Sequence, residues 1–231
     1  MRKGWLIRPT GLVPYGAAYE LMHRLAERRA RDDIPDALIL LEHPPVYTAG
    51  RRSDPLHVRW TREQMEAVGA QLRDVDRGGS VTFHGPGQLV GYPILDLGRR
   101  PDVVGYLRRI EDVIIASGRE IGIDLERDPS ATGVWSGRGK VCAIGVRVTR
   151  ARVTMHGFAL NCTTDLSWFD AIVPCGLADR SVTSLSELAG RRVSVDEMVP
   201  VVAENFERTF DMALRAAPEG RLADSAAAAS A

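Results

Sequence analysis

Residues 76 to 97, DRGGSVTFHGPGQLVGYPILDL, constrain this chain more than any other stretch. Glycines at 78, 79, 85, 87 and 91 and prolines at 86 and 93 exclude a helix, because in a helix interior each glycine costs about 1 kcal/mol and each proline about 3 kcal/mol. Only extended chain remains. Val81 to Phe83 and Leu89 to Leu97 are expected as strands around a turn at Gly85-Pro86-Gly87. A sheet therefore lies at the centre of the chain, and the flanking segments decide what covers it.

Those segments carry helical period. Tyr15 to Arg31 reads as a helix, and Val103 to Ile121 repeats apolar residues at Val104, Leu107, Ile110, Val113 and Ile114. Thr61 with Gln64 forms a capping-box pattern. Ser194 with Glu197 opens a last helix, expected to run to about Arg215. Trp5 to Ile7, Ala37 to Glu42 and Gln71 to Asp76 read as strands, with a loop after Pro44-Pro45 through Gly50, Arg51 and Arg52. Val141 to Val148 and Thr154 to Asn161 are expected as antiparallel neighbours joined at Arg150-Ala151-Arg152. Ala171 to Pro174 leads into Cys175-Gly176. The expected architecture is one mixed α/β domain over residues 1–216, a mixed sheet flanked by helices. The alanine- and serine-rich residues 217–231 are expected to be disordered.

With 231 residues and 45% hydrophobic content, the chain can bury one sizeable core. Its formal net charge of zero argues against nucleic-acid binding by bulk attraction. The longest apolar run, Ala37 to Leu41, is far short of a membrane span, and the N-terminal residues lack a signal-peptide core. Three cysteines without C-x-x-C spacing indicate neither a disulfide framework nor a metal centre. A reducing cytoplasm, no metal and no cofactor are expected.

A few residues can carry chemistry. Cys175 in VPCGL sits between proline and glycine, where a turn can present a thiol for acyl transfer. The same residue also fits a small buried hydrophobe. Cys142 and Cys162 lie in or at the end of apolar strands and read as core. Lysine occurs only at positions 3 and 140, against 28 arginines. An internal lysine in such a chain fits a task that arginine cannot perform, the release of a proton. A surface lysine at a strand start fits equally well. Lys140 is not part of a phosphate loop, since valines occupy positions 134 and 141. Gly85 and Gly87 likewise fail the dinucleotide pattern, since position 90 is valine. His84 and His156 each precede a glycine and fit either a structural role or a thiol–imidazole pair. Gly145 and Gly157 permit close backbone approach and unhindered N–H groups, the material of an oxyanion hole.

The blocks LEHPPVYTAGRR, DRGGSVTFHGPGQLVGYPILDL, GVW, GKVCAIGV, HGFALN and IVPCG, in this order, closely resemble the lipoyl(octanoyl) transferases from about Trp5 to Phe210. The resemblance implies the catalytic-domain fold of the biotin/lipoate protein ligases. It implies transfer of octanoyl from octanoyl-acyl carrier protein to a lysine of lipoyl domains, those of 2-oxoacid dehydrogenase E2 subunits and the glycine cleavage H protein, by a monomer. It places the acyl-thioester cysteine at Cys175 and the lysine that activates it at Lys140. It places the substrate-binding segments at Arg77, Gly78, Gly79, Ser80, Val81, Thr82, Phe83 and His84, at Ala143, Ile144 and Gly145, and at Gly157, Phe158 and Ala159. Cys142, close to Lys140 in sequence, is a candidate point of redox sensitivity. Both protein substrates are expected to be acidic near their modified sites, with Arg51, Arg52, Arg77 and Arg138 as contacts. Three rivals stand beside this reading: an ATP-dependent lipoate or biotin ligase of the same fold, a non-catalytic module that binds acyl carrier protein, and a cysteine hydrolase using His84 or His156 as base.

Overall fold

The computed structural model describes residues 1–173 and 181–218. In chain order the elements are β1 (Arg2–Ile7), α1 (Tyr15–Ala30), β2 (Asp36–Leu41), β3 (Val46–Ala49), α2 (Arg62–Ala67), β4 (Gln71–Asp74), β5 (Val81–His84), β6 (Gln88–Ile94), α3 (Val103–Glu120), β7 (Glu126–Asp128), β8 (Ala131–Ser136), β9 (Gly139–Val148), β10 (Thr154–Asn161), α4 (Leu185–Ala189), α5 (Val195–Phe210) and β11 (Met212–Ala216). Among the described residues they form an eight-stranded mixed sheet, ordered β11-β1-β2-β6-β10-β9-β8-β7, and a three-stranded sheet, ordered β4-β3-β5. No helix among them is long and apolar enough to cross a membrane.

β2 shows why the large sheet is covered on both faces. Its run ALILL is apolar throughout, as in strands without a wet side. Leu38 and Leu40 pack with residues of α3 and α5, including Ile110, Val113 and Phe206. Ala37, Ile39 and Leu41 pack on the opposite face with Ala18, Met22 and Leu25 of α1. Burying each such leucine or isoleucine contributes roughly 1.5–3 kcal/mol. A third cluster, around Tyr47, Met65, Phe83 and Phe169, holds the small sheet against residues 166–172.

The caps act as the sequence indicates. Thr61 and Gln64 exchange the two capping-box hydrogen bonds, at 3.3 and 2.7 Å, and Ser194 accepts from the Glu197 N–H at 3.1 Å. Two expectations fail. Val46–Ala49, expected within a loop, is β3, because it pairs with β4 on one side and β5 on the other. The last helix stops at Phe210 and not near Arg215. Asp211 turns the chain through a left-handed conformation (φ 49°), and Met212–Ala216 then pairs parallel to β1 as the sheet edge.

Candidate active site

β9 and β10 run antiparallel with Gly145 directly opposite Gly157. The loop between β4 and β5 folds over this point, and its Gly78 N–H donates to the Val146 carbonyl at 3.0 Å. A Cβ on Gly145 would stand 2.9 Å from the Gly78 carbonyl oxygen and 3.2 Å from Arg77 Cδ, so only glycine lets the loop lie this close. The space enclosed is a cleft of about 480 Å³, mouth included.

Arg77, Gly79 to Thr82 and His84 line this cleft from the loop and β5. Ala143, Ile144 and Gly145 line it from β9, and Gly157, Phe158 and Ala159 from β10. Three separate blocks of the sequence thus meet on one cleft. Gly78 and Phe83 do not line it. Strand alternation turns Phe83 to the other face of β5, where it stacks on Trp168 with ring centres 5.2 Å apart. Tyr15, Tyr92 and His156 also line the cleft. Tyr15 and Tyr92 escape sequence reasoning because one begins an ordinary amphipathic helix and the other sits inside an apolar strand.

Arg77 is a buried wall residue rather than a surface contact for an acidic partner. It is 7% exposed, and its guanidinium donates to the Thr48 carbonyl at 2.6 Å, to Thr48 Oγ1 at 2.9 Å and to the Gly78 carbonyl at 3.0 Å. Arg51, Arg52 and Arg138 are exposed. Both ring nitrogens of His84 are occupied, Nδ1 by Gln88 Oε1 at 2.9 Å and Nε2 by Thr48 Oγ1 at 3.3 Å. Burial, then the neighbouring His43 and Arg77, hold the His84 ring well below the ordinary histidine range, so it is neutral. His43 Nδ1 lies 2.6 Å from the Val13 carbonyl and must donate there, which leaves Nε2 to accept from the Tyr92 hydroxyl at 2.8 Å. Burial lowers its pKa to about 4.

His156 breaks the alternation of β10. Its φ is +58°, a left-handed value uncommon outside glycine. Its ring lies 6.0 Å from that of Tyr19 on α1, whereas Phe158 and Leu160 pack with the α3/α5 side. Its Nε2 donates to Asp76 Oδ1 at 2.7 Å, and Arg147 pairs with the other carboxylate oxygen. Burial keeps the imidazole neutral, while the hydrogen bond from His156 and the charge of Arg147 bring the Asp76 carboxyl down to about 2.

A second cavity adjoins the cleft, sharing Gly79, Ser80 and Ile144 with it and lined further by His57, Thr132 and Lys140. Lys140 is not a surface lysine; it is 5% exposed. Its Nζ donates to the Thr132 carbonyl at 3.2 Å and stands 4.6 Å above the Trp135 ring centre. Cys175 falls in 174–180, outside the described residues. The chain on either side is tied to this cavity: the Val173 N–H donates to the His57 carbonyl at 2.8 Å, the Lys140 N–H to Ser181 and the Thr183 N–H to Lys140, each at 3.0 Å. Cys142 and Cys162 are both fully buried. Burial pushes both thiols up, Cys162 to about 12, which lowers their thiolate character at neutral pH.

Residues 14–207 match the model of the lipoyl protein ligase A/B catalytic domain. An octanoyltransferase of Rubrobacter xylanophilus is 49% identical over 88% of this chain and 92% of its own length. One from Acidothermus cellulolyticus is 47% identical over 92% and 93%. Among solved structures, a bi-partite lipoate protein ligase from Thermoplasma acidophilum superposes with a TM-score of 0.74 at 16% identity, over 97% of this chain and 91% of that one. A lipoate-protein ligase A bound with ATP superposes with a TM-score of 0.73 at 19% identity, over 96% and 92%. The mixed sheet flanked by helices is thus the lipoate ligase fold. By sequence, the chain belongs to the lipoyl protein ligase A/B catalytic domain family and, within it, to the octanoyltransferases.

Proposed function

We propose that this chain moves an octanoyl group from octanoyl-acyl carrier protein to a lysine amine of lipoyl domains, those of 2-oxoacid dehydrogenase E2 subunits and the glycine cleavage H protein, through an acyl-enzyme on Cys175. Octanoyl transfer rests on the 47–49% identity to octanoyltransferases, against 16–19% to the ligases that share only the fold. The covalent route rests chiefly on one observation. The cavity holding the Lys140 amine opens beside the cleft, and both flanks of the segment that contains Cys175 are anchored to residues lining that cavity.

In the first half-reaction Lys140 accepts the Cys175 thiol proton. The thiolate attacks the thioester carbonyl, a new carbon–sulfur bond forms, and the carrier's bond breaks. The departing phosphopantetheine thiolate takes the proton back from Lys140. One thioester replaces another, so no nucleotide is consumed. The octanoyl chain lies in the cleft between the 77–84 segment and the two central strands. In the second half-reaction the acceptor lysine attacks, a carbon–nitrogen bond forms, and the bond to Cys175 breaks. Lys140 takes the proton lost by the amine and passes it to the departing Cys175 thiolate. His84 has both ring nitrogens engaged and His156 has Nε2 given to Asp76, an arrangement that favours structural duties over a hydrolase base.

Steady-state kinetics with both protein substrates test the order of events. Parallel double-reciprocal lines are expected for double displacement, and intersecting lines would mean direct transfer in a ternary complex.

A further inference from the structure

Glu111 is a charged group that the mechanism above does not use. It stands on α3 with no solvent exposure, among the apolar Ile110, Val113 and Ile114. A buried carboxylate is costly unless it is paired. Glu111 Oε2 accepts from Arg108 Nη1 at 2.8 Å and Arg127 Nε at 3.0 Å. Its other oxygen accepts from the Gly133 N–H at 3.2 Å.

That N–H belongs to the same peptide group as the Thr132 carbonyl, the acceptor for Lys140 Nζ. In a planar trans peptide the two point in opposite directions. One peptide plane therefore spans Glu111 and Lys140, with the carboxylate behind the N–H and the amine before the carbonyl. The local backbone is specialised for this. The pairing of β8 with β9 shifts register between Val134 and Trp135, and Gly133 has φ +128°, which an L side chain rarely adopts. A Cβ on Gly133 would also lie 2.6 Å from the Cys142 carbonyl oxygen and 3.3 Å from Lys140 Cε.

We propose that Glu111 is a positioning residue for Lys140: its carboxylate fixes the Thr132–Gly133 peptide, and the carbonyl end of that peptide holds the amine at its station. The inference rests on the reading that Lys140 activates Cys175. A negative charge at the N–H end also strengthens the carbonyl as an acceptor. In Glu111→Gln the two arginines draw the amide oxygen, which turns the NH₂ group toward the Gly133 N–H and displaces the peptide.

The test uses the full chain and measures the rate of Cys175 alkylation by iodoacetamide at neutral pH, read by peptide mass. Wild type, Glu111→Gln, Lys140→Met and the double variant are compared, each after thermal unfolding has shown it folded. Glu111→Gln is expected to slow alkylation about ten-fold, the order of a hydrogen bond to a charged group. In the Lys140→Met background the same substitution is expected to change nothing further, since residues acting as one unit are not additive. Arg108→Met, which keeps the Gly133 hydrogen bond, is expected to react like wild type. Where Glu111→Gln does not fold, the triple replacement Arg108→Met, Glu111→Leu and Arg127→Met provides the same comparison, since an ion cluster exchanged as a whole for apolar residues is often tolerated. Equal slowing with and without Lys140, or no slowing in a folded variant, would overturn the role of Glu111 alone. Unchanged alkylation in Lys140→Met would overturn the Lys140–Cys175 pairing beneath it.

Discussion

Lys140 places its amine nitrogen 4.6 Å above the ring centre of Trp135, in a cavity that adjoins the cleft of the substrate-binding blocks. The Trp135 face and the Thr132 carbonyl together hold the amine at this point. Lys140→Met is expected to reduce the rate of acyl-enzyme formation by about 100-fold or more, the usual contribution of a positioned general base. Lys140→Arg is expected to do no better, because guanidinium does not release its proton. Single-turnover mixing with octanoyl-acyl carrier protein checks both; an active arginine variant would reject Lys140 as proton carrier.

Gly145 is the point where the loop touches the sheet. Gly145→Val is expected to lift the 77–79 loop off β9, at a stability cost of about 1–3 kcal/mol typical of overpacking. The same change fills the cleft, so octanoyl transfer is expected to fall more than the loss of folded protein explains. Chemical denaturation and kcat/KM on the same preparations separate the two effects.

Phe83 belongs to the core rather than the cleft. Phe83→Ala is expected to cost about 3–5 kcal/mol of stability, while acyl-enzyme formation per folded molecule stays near the wild-type rate. A folded Phe83→Ala with selectively lost octanoyl binding would return Phe83 to the site.

Acid should destabilise the fold through buried neutral histidines. His43 titrates near 6.5 when unfolded and at about 4 when folded, so the unfolded state binds the proton first as pH falls. The stability it supports is complete above about pH 6.5 and declines toward pH 4, by roughly 3 kcal/mol over the window. His84 acts with the same sign. Urea unfolding from pH 7.5 to 4 should show this slope, and His43→Gln should flatten it by about one proton. An unchanged slope would mean that His43 is protonated in the native state.

The exposed Arg51, Arg52 and Arg138 are expected to steer acidic protein substrates. Reversing their charge should lower kcat/KM at low salt, with the deficit fading as ionic strength rises. A deficit independent of salt would assign them another role.

The sequence reveals the site better than its surroundings. Arg77 to His84, Ala143 to Gly145 and Gly157 to Ala159 are dense in glycine and carry family blocks, so they stand out in the sequence itself. Which of those side chains face the cleft depends on the pleat. Phe83 and Thr82 are neighbours in sequence and opposite in direction, and only the strand register separates them. Tyr15, Tyr92, His43 and Glu111 are legible only from contacts across the fold, because their local sequence is that of ordinary helix and strand. β3 hides behind Pro44-Pro45, and its evidence is the partners on either side, β4 and β5, which come later in the chain. The edge strand β11 hides behind helix-favouring residues, Met212 to Ala216, and exists because β1 offers an open edge.

The covalent mechanism meets its most direct test in the intact mass of the protein after brief incubation with octanoyl-acyl carrier protein and no acceptor. Wild type is expected to gain one octanoyl group, to lose it on addition of a lipoyl domain, and to differ in this from Cys175→Ser, which gains none. An unmodified wild type that still octanoylates the lipoyl domain, or an equal adduct on Cys175→Ser, would contradict the acyl-enzyme on Cys175.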